Sequence, residues 1–223
     1  LHVTLDQMVY HAEMVARAAR RSLVVADLPF LSYQASIEQA VLSAGRFLKE
    51  TQCQAVKLEG GRRMAATIRA VVESGIPVMG HVGLTPQSET ILGGFKTQGR
   101  TASKARQLLA DALALEAAGC FAVVLEAVPV PVAARITEAL TVPTIGIGAG
   151  AETDGQVLVW HDMLGMYEGR TPRFVKRYAE IAEEIGDAVA RYAGDVRSGA
   201  FPEDKHTYGI SAEELARFEQ ALR

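Results

Sequence analysis

Six short apolar runs, "SLVVADLPF", "QAVKLEGG", "PVMGHVG", "FAVVLEAV", "TIGIGAG" and "QVLVWHDM", constrain this chain more than any other feature. Each is nearly continuous rather than alternating. That is the mark of strands buried on both faces, which occur in parallel sheets covered by helices. The segments between them carry helical spacing and Gly or Pro punctuation. Met64, Ile68, Val71 and Val72 form a stripe over 62–74, ahead of a Gly stop and Pro77. Ala105, Leu108, Leu109, Ala112 and Leu115 form another, which opens near Thr101 and ends at Gly119. A third covers Ala133 to Leu140 and leads through Pro143 into the next run. Helix and strand alternate, so the fold is either an open doubly wound sheet or a (β/α)8 barrel.

The placement of ionisable residues favours the barrel. Asp27 ends the first run, Lys57 and Glu59 the second, His81 the third and Glu126 the fourth. Strand ends in a barrel converge on one mouth, where such folds keep their sites, whereas an open sheet spreads them along an edge. Within "QAVKLEGG", successive residues face opposite sides. Val56 and Leu58 therefore point one way, and Lys57 and Glu59 the other, roughly 7 Å apart along the chain. The expected fold is a (β/α)8 TIM barrel with charge at one rim.

Six runs are two short of closure. The chain opens on a helical pattern: Thr4 and Gln7 make a capping box, and Leu5, Met8, Val9, Ala12, Val15 and Ala19 form a stripe. The expectation is that a leading β-α-β segment, on the order of 50 residues, is absent from this chain. Toward the other end, Phe174, Tyr178, Ile181, Ile185, Val189, Tyr192 and Val196 predict a last barrel helix. Ser211 and Glu214 then form a second capping box ahead of Leu215, Phe218 and Leu222. The expected organisation is a barrel domain over 1–206 and a tail with a short helix over 207–223. That tail docks either on a neighbouring subunit or on its own surface.

Composition narrows the partners. A chain of 223 residues, 49% hydrophobic, can bury a full core. Its net charge of -3 gives no broad basic surface, so nucleic acid is not expected, and an anionic ligand must meet a local cation such as Lys57. The two cysteines, Cys53 and Cys120, make no spacing motif and predict reduced thiols in a cytoplasmic protein. No apolar run approaches the roughly 18 residues that span a bilayer, so no membrane partner is expected.

The rim residues suggest a chemistry. Mg2+ prefers oxygen ligands, takes one or two protein carboxylates, and keeps its other positions for water and substrate. Asp27 and Glu59 suit that sparse ligation. A 2-keto acid would chelate such an ion through its keto and carboxylate oxygens, with its carboxylate near Lys57. Glu126 ends an apolar strand and is followed by Ala-Val-Pro rather than a capping sequence. It suits a general base that removes a proton beside the carbonyl, the metal stabilising the enolate.

Plainer readings stand beside these. Asp27 also fits a loop position, Lys57 and Glu59 a structural ion pair, and His81 an imidazole hydrogen-bonded within the rim. His161 and Asp162 lack the spacing of a zinc site. "GIGAG", Gly146 to Gly150, lacks the G-x-G-x-x-G of a dinucleotide loop and reads as steric room. The connection from Val82 to Arg100 exceeds the usual 2 to 6 residues. It reads as a lid hinged at Gly93 and Gly94 or as a subunit contact.

Taken together, "VVADLPF", "AVKLEGG", "GIPVMGHVGLTPQS", "GGFKTQGR", "ALALEAAGCFAVVLEAVP", "ITEALTVPTIGIGAG", "DGQVLVWHDMLG" and "PRFVKRYAE" resemble the ketopantoate hydroxymethyltransferase family, in unbroken order to about residue 206. The resemblance implies a (β/α)8 barrel that binds Mg2+. It also implies transfer of a one-carbon unit from 5,10-methylenetetrahydrofolate to 3-methyl-2-oxobutanoate, giving 2-dehydropantoate for pantothenate synthesis. By position, Asp27 resembles a metal ligand that also touches the keto acid, Lys57 the keto-acid-binding group, Glu59 a metal-site carboxylate, Glu126 the proton acceptor and His81 a position near substrate. The resemblance further implies a homo-oligomer, commonly a decamer; Lys96 and Arg100 read either as basic residues of a solvated loop or as contacts for the glutamyl tail of folate. The family's "GDS" motif, which carries a second metal-binding Asp, does not occur in this sequence. Barrels of the isocitrate lyase and phosphoenolpyruvate mutase group share the metal–enolate logic and form a second reading. A non-catalytic assembly protein is a third.

Overall fold

The first helix, α1 (Leu5–Ala18), begins where its capping box puts it. The Thr4 hydroxyl accepts the Gln7 backbone N–H at 3.2 Å, and the Gln7 side chain accepts the Thr4 N–H at 2.9 Å. Val9, Ala12 and Ala16 face inward, while Val15, expected on that stripe, is exposed. The computed structural model describes residues 1–167, 169 and 171–223. They divide into two compact units, Leu1–Leu158 and Val159–Arg223.

In the first unit the chain continues through β1 (Val25–Asp27), α2 (Ile37–Glu50), β2 (Ala55–Glu59), α3 (Ala65–Glu73), β3 (Val78–Gly83), α4 (Glu89–Leu92), α5 (Ala102–Ala117), β4 (Ala122–Glu126), α6 (Val130–Ala139), β5 (Thr144–Ile147) and β6 (Gly155–Gln156). Side-chain caps at Ser36 and Thr101 start α2 and α5, each hydroxyl accepting the backbone N–H three residues on. All six strands are parallel and pair in chain order, β1 through β6. That order removes the doubly wound alternative, which requires a point where the strand order reverses. The result is a parallel half-barrel sheet.

The described residues hold six strands, two short of an eight-stranded closure as the count of apolar runs anticipates, and β1 and β6 each pair with one neighbour. The sixth strand is also far shorter than "QVLVWHDM" suggests. It holds Gly155 and Gln156 alone, and Val157 and Val159 are exposed. The reason lies in the partner: β5 ends at Ile147, and the Val157 N–H to the Gly146 carbonyl, 3.0 Å, is the last rung available. The apolar run that follows has no edge to pair with, and Trp160–Met163 takes a helical turn instead.

The core fills the space between sheet and helices. Val56, Leu58, Val78, Val123 and Leu125 from the strands are fully buried, as are Phe47, Ile68, Val71, Leu115 and Ile136 from the helices. The continuous apolar runs are thereby explained, because helices cover the sheet. At Gly146 the expected steric crowding is present: a Cβ there would meet the Thr153 hydroxyl at 2.5 Å.

The second unit holds α7 (Trp160–Met163), α8 (Ile181–Ser198), a 3-10 turn at Asp204–His206 and α9 (Ala212–Ala221). His161 and Asp162 lie on α7. The long stripe expected from Phe174 onward enters helix only at Ile181. The N–H groups of Tyr178, Ile181 and Ala182 donate to the carbonyls of Met163, Leu164 and Gly165. Those donors are thus committed outside a helix and cannot build one upstream of Ile181. No residue of α8 is buried; Ile185, Val189, Tyr192 and Val196 are all exposed. Ser211 caps α9, accepting the Glu214 N–H at 3.3 Å.

Candidate active site

Strand register brings the charged residues together. Asp27 pairs with Lys57, Glu59 with His81, and Gly83 with Glu126. Residues two apart on a strand share a face, so these pairings place Asp27, Lys57, Glu59, His81 and Glu126 on one face at the C-terminal ends of four adjacent strands. The Lys57 ammonium lies 2.9 Å from Asp27 Oδ1, 4.0 Å from Glu59 Oε1 and 3.4 Å from His81 Nδ1. His81 Nδ1 is 3.8 Å from Glu59 Oε1, and its Nε2 is 3.2 Å from Glu126 Oε2. The five residues anticipated at strand ends therefore fall in one cluster.

Exposure is graded across the cluster. The His81 and Glu59 side chains are 3% and 5% exposed, Glu126 15%, Lys57 18% and Asp27 40%. The open side of the cluster is at Asp27. Two of its buried polar atoms, Asp27 Oδ1 and His81 Nε2, have close charged neighbours yet no partner in hydrogen-bond geometry. Orphaned polar atoms of this kind are rare in finished cores and common where a ligand is to be met.

Burial raises the affinity of the Glu59 carboxyl for its proton, opposed by His81, Lys57 and a backbone N–H from Gln87. The local structure explains how Glu59 stays in place. Gln87 is the second residue of a 3-10 turn, Pro86–Ser88, and its N–H donates to Glu59 Oε2 at 3.0 Å. The Tyr33 hydroxyl accepts the Glu59 backbone N–H at 3.1 Å and donates to Gln87 Oε1 at 2.8 Å. Burial pushes that hydroxyl well above the usual phenol range.

Sequence reasoning passed over Tyr33 and Gln87. Their signals were present but weak: a tyrosine in the connection after β1, with an apolar body and a polar tip, and a proline opening a turn just past β3. A cavity of about 750 Å³ lies elsewhere, against Leu5, Gln39, Leu42, Arg46 and Lys49. It contains none of the converged groups and carries no catalytic argument. Lys96 and Arg100 are exposed in the connection between β3 and α5, and Gly93 and Gly94 both adopt positive φ.

Known proteins share much of this sequence and its fold class. A family model described as ketopantoate hydroxymethyltransferase matches residues 1–204. A 3-methyl-2-oxobutanoate hydroxymethyltransferase from Oleidesulfovibrio alaskensis is 55% identical over 99% of this chain and 76% of its own length. The protein of the same name from Clostridium beijerinckii is 52% identical over 97% of this chain and 79% of its own. Among solved structures, a putative lyase/mutase from Burkholderia cenocepacia superposes with a TM-score of 0.52 at 14% identity, covering 97% of this chain and 76% of that one. A putative phosphonomutase from the same organism gives 0.52 at 18% identity over 68% and 65%. The structural likenesses speak to the α/β fold alone; with a matched family model and relatives above half identity across nearly its whole length, the chain belongs to the ketopantoate hydroxymethyltransferase family of enzymes.

Proposed function

We propose that this enzyme transfers a hydroxymethyl group from 5,10-methylenetetrahydrofolate to 3-methyl-2-oxobutanoate, giving 2-dehydropantoate in pantothenate biosynthesis. The observation that carries the reading is the single-rim cluster of Asp27, Lys57, Glu59, His81 and Glu126. The relatives' name supports the keto acid as substrate, the folate donor is what the family resemblance implies, and the cluster supplies groups suited to the chemistry.

Glu126 is the proton acceptor for C3 of the keto acid. It sits at a strand end, partly open, with His81 Nε2 3.2 Å from its carboxylate. Water adds to the methylene carbon of 5,10-methylenetetrahydrofolate, and its C–N bonds break to leave tetrahydrofolate and formaldehyde. The enolate carbon bonds the formaldehyde carbon, whose oxygen takes a proton to become the hydroxyl. Lys57 offers the keto acid a charge-assisted donor, and its 18% exposure leaves the ammonium accessible. Among the described residues no group of three or more His, Cys, Asp or Glu is arranged to hold a metal. Asp27 and Glu59 are both within 4.0 Å of one ammonium, and Asp27 Oδ1 lacks a hydrogen-bond partner. This donor set fits Mg2+, which takes few protein carboxylates and keeps its waters. Asp27 and Glu59 would hold it, and when bound it supplies positive charge against the developing enolate oxygen.

Further parts of the reading have their own support. The sequential parallel sheet favours a (β/α)8 architecture for the family, and the family match to residue 204 favours a catalytic domain over 1–206 with a tail over 207–223. The exposed apolar stripe of α8 favours a homo-oligomer, a decamer by the family pattern. The free thiols of Cys53 and Cys120 favour the cytoplasm.

The test is proton exchange in D2O. With Mg2+, the enzyme is expected to exchange the C3 hydrogen of 3-methyl-2-oxobutanoate, followed by proton NMR. Glu126→Gln is expected to slow exchange at least about 100-fold, the usual range for a lost general base. Exchange by that variant at the unsubstituted rate removes Glu126 as the base.

A further inference from the structure

The connection from β3 to α5 touches the site at three points. The Leu84 N–H donates to the Glu126 carbonyl at 2.8 Å, and the Gln98 N–H to the Ala127 carbonyl at 2.9 Å. Between these anchors, the Gln87 N–H donates to Glu59 Oε2. The first N–H groups of a helical turn have no partner within it, so the turn at Pro86–Ser88 presents the Gln87 N–H outward, and the carboxylate takes it.

The side chain of Gln87 fixes that turn. Its Nε2 donates to the Leu28 carbonyl at 2.8 Å, and its Oε1 accepts the Tyr33 hydroxyl at 2.8 Å and Gln34 Nε2 at 3.1 Å. The Tyr33 hydroxyl in turn accepts the Glu59 backbone N–H. The bonds close a ring from the Glu59 carboxylate through the Gln87 backbone, the Gln87 amide and the Tyr33 hydroxyl back to the Glu59 backbone. Glutamine suits this position because its amide donates and accepts at once. A glutamate there would set a carboxylate oxygen against the Leu28 carbonyl, and an alanine would lose all three bonds.

We propose that Gln87 is a positioning residue for Glu59, holding the carboxylate where a divalent cation meets it, with Tyr33 as the brace. This rests on the reading of Glu59 as a metal-site carboxylate. Groups that orient a metal ligand from behind change metal affinity by roughly 10- to 100-fold when removed.

The experiment is Mn2+ binding to the intact chain, followed by electron paramagnetic resonance, for the unsubstituted protein, Glu59→Gln, Gln87→Ala and the double variant. The expected result is at least about tenfold weaker binding for each single variant and no further loss in the double variant, since both act on one interaction. A purely structural role for Gln87 would lower Tm but leave the cycle additive. If Glu59→Gln weakens binding and Gln87→Ala stays within twofold, the positioning role is overturned while the metal-site reading stands. Additive losses overturn it as well. If Glu59→Gln leaves binding unchanged, or the unsubstituted chain binds no Mn2+ at millimolar concentration, the underlying reading fails and takes the proposal with it. Should Gln87→Ala not fold, Tyr33→Phe, which keeps the ring and removes only the hydroxyl, is carried through the same cycle with the same criteria.

Discussion

Replacing Gly83 with alanine probes how closely the rim is built. Gly83 closes β3 at φ +99°, a conformation that side chains rarely adopt. A Cβ there would overlap the Glu126 carbonyl oxygen and approach Val128 Cγ2 at 2.9 Å and the Glu126 nitrogen at 3.1 Å. Two of these three neighbours are backbone, so they yield only by moving β4. Strained backbone costs about 1–3 kcal/mol, and overpacking a tight contact about 1–3 kcal/mol more. Gly83→Ala is therefore expected to lose about 2–6 kcal/mol, which lowers Tm by roughly 5–20 °C at the usual 2–4 °C per kcal/mol for a chain this size. Gly75→Ala is the control, because Gly75 also has positive φ, +86°, but nothing lies within 4 Å of its Cβ. It bears the strain without the overlap. Thermal unfolding by circular dichroism of both variants separates the two contributions, and an equal fall in Tm for both would refute the close-approach argument. Because the overlap falls on Glu126 itself, the folded Gly83→Ala protein is also expected to exchange the keto-acid C3 hydrogen more slowly, whereas Gly75→Ala is not.

Other expectations follow from single environments. Burial holds Glu59 protonated to higher pH in the folded chain than in the unfolded one, so its contribution is present below the unfolded pKa and lost as pH rises through the folded value. Glu59→Gln should accordingly raise Tm at pH 7, with the gain shrinking toward pH 4; a Tm difference that does not change with pH would contradict this. Cys120 is buried and its thiol is pushed up to about 12. At pH 8 its thiolate fraction is on the order of one in 10⁴, and mass spectrometry after iodoacetamide treatment should find it unmodified until the chain is unfolded. Phe47 is fully buried on α2, and Phe47→Ala should cost about 3–5 kcal/mol by urea titration. Substituting Lys96 and Arg100 together by alanine tests the folate-tail role, for which unchanged folate KM is the refuting result.

The alternation of apolar runs and amphipathic stripes was enough to specify a parallel α/β sheet, the capped start of α1, a helix opening near Thr101, and the strand ends that carry Asp27, Lys57, Glu59, His81 and Glu126. These are legible because burial on both faces imposes a local composition, and because strand ends, caps and turns are set by residues a few positions apart. What the tertiary structure alone decided is long-range. Pairing in unbroken order selected the half-barrel over a doubly wound sheet, and register, which no local pattern encodes, set Glu59 beside His81 and Gly83 beside Glu126. The end of β5 cut the sixth strand to two residues although "QVLVW" has strand composition, since a strand needs a partner edge as well as a propensity. The ring through Tyr33 and Gln87 joins residues 26 and 28 positions away from Glu59, a separation at which only the folded chain determines who meets whom.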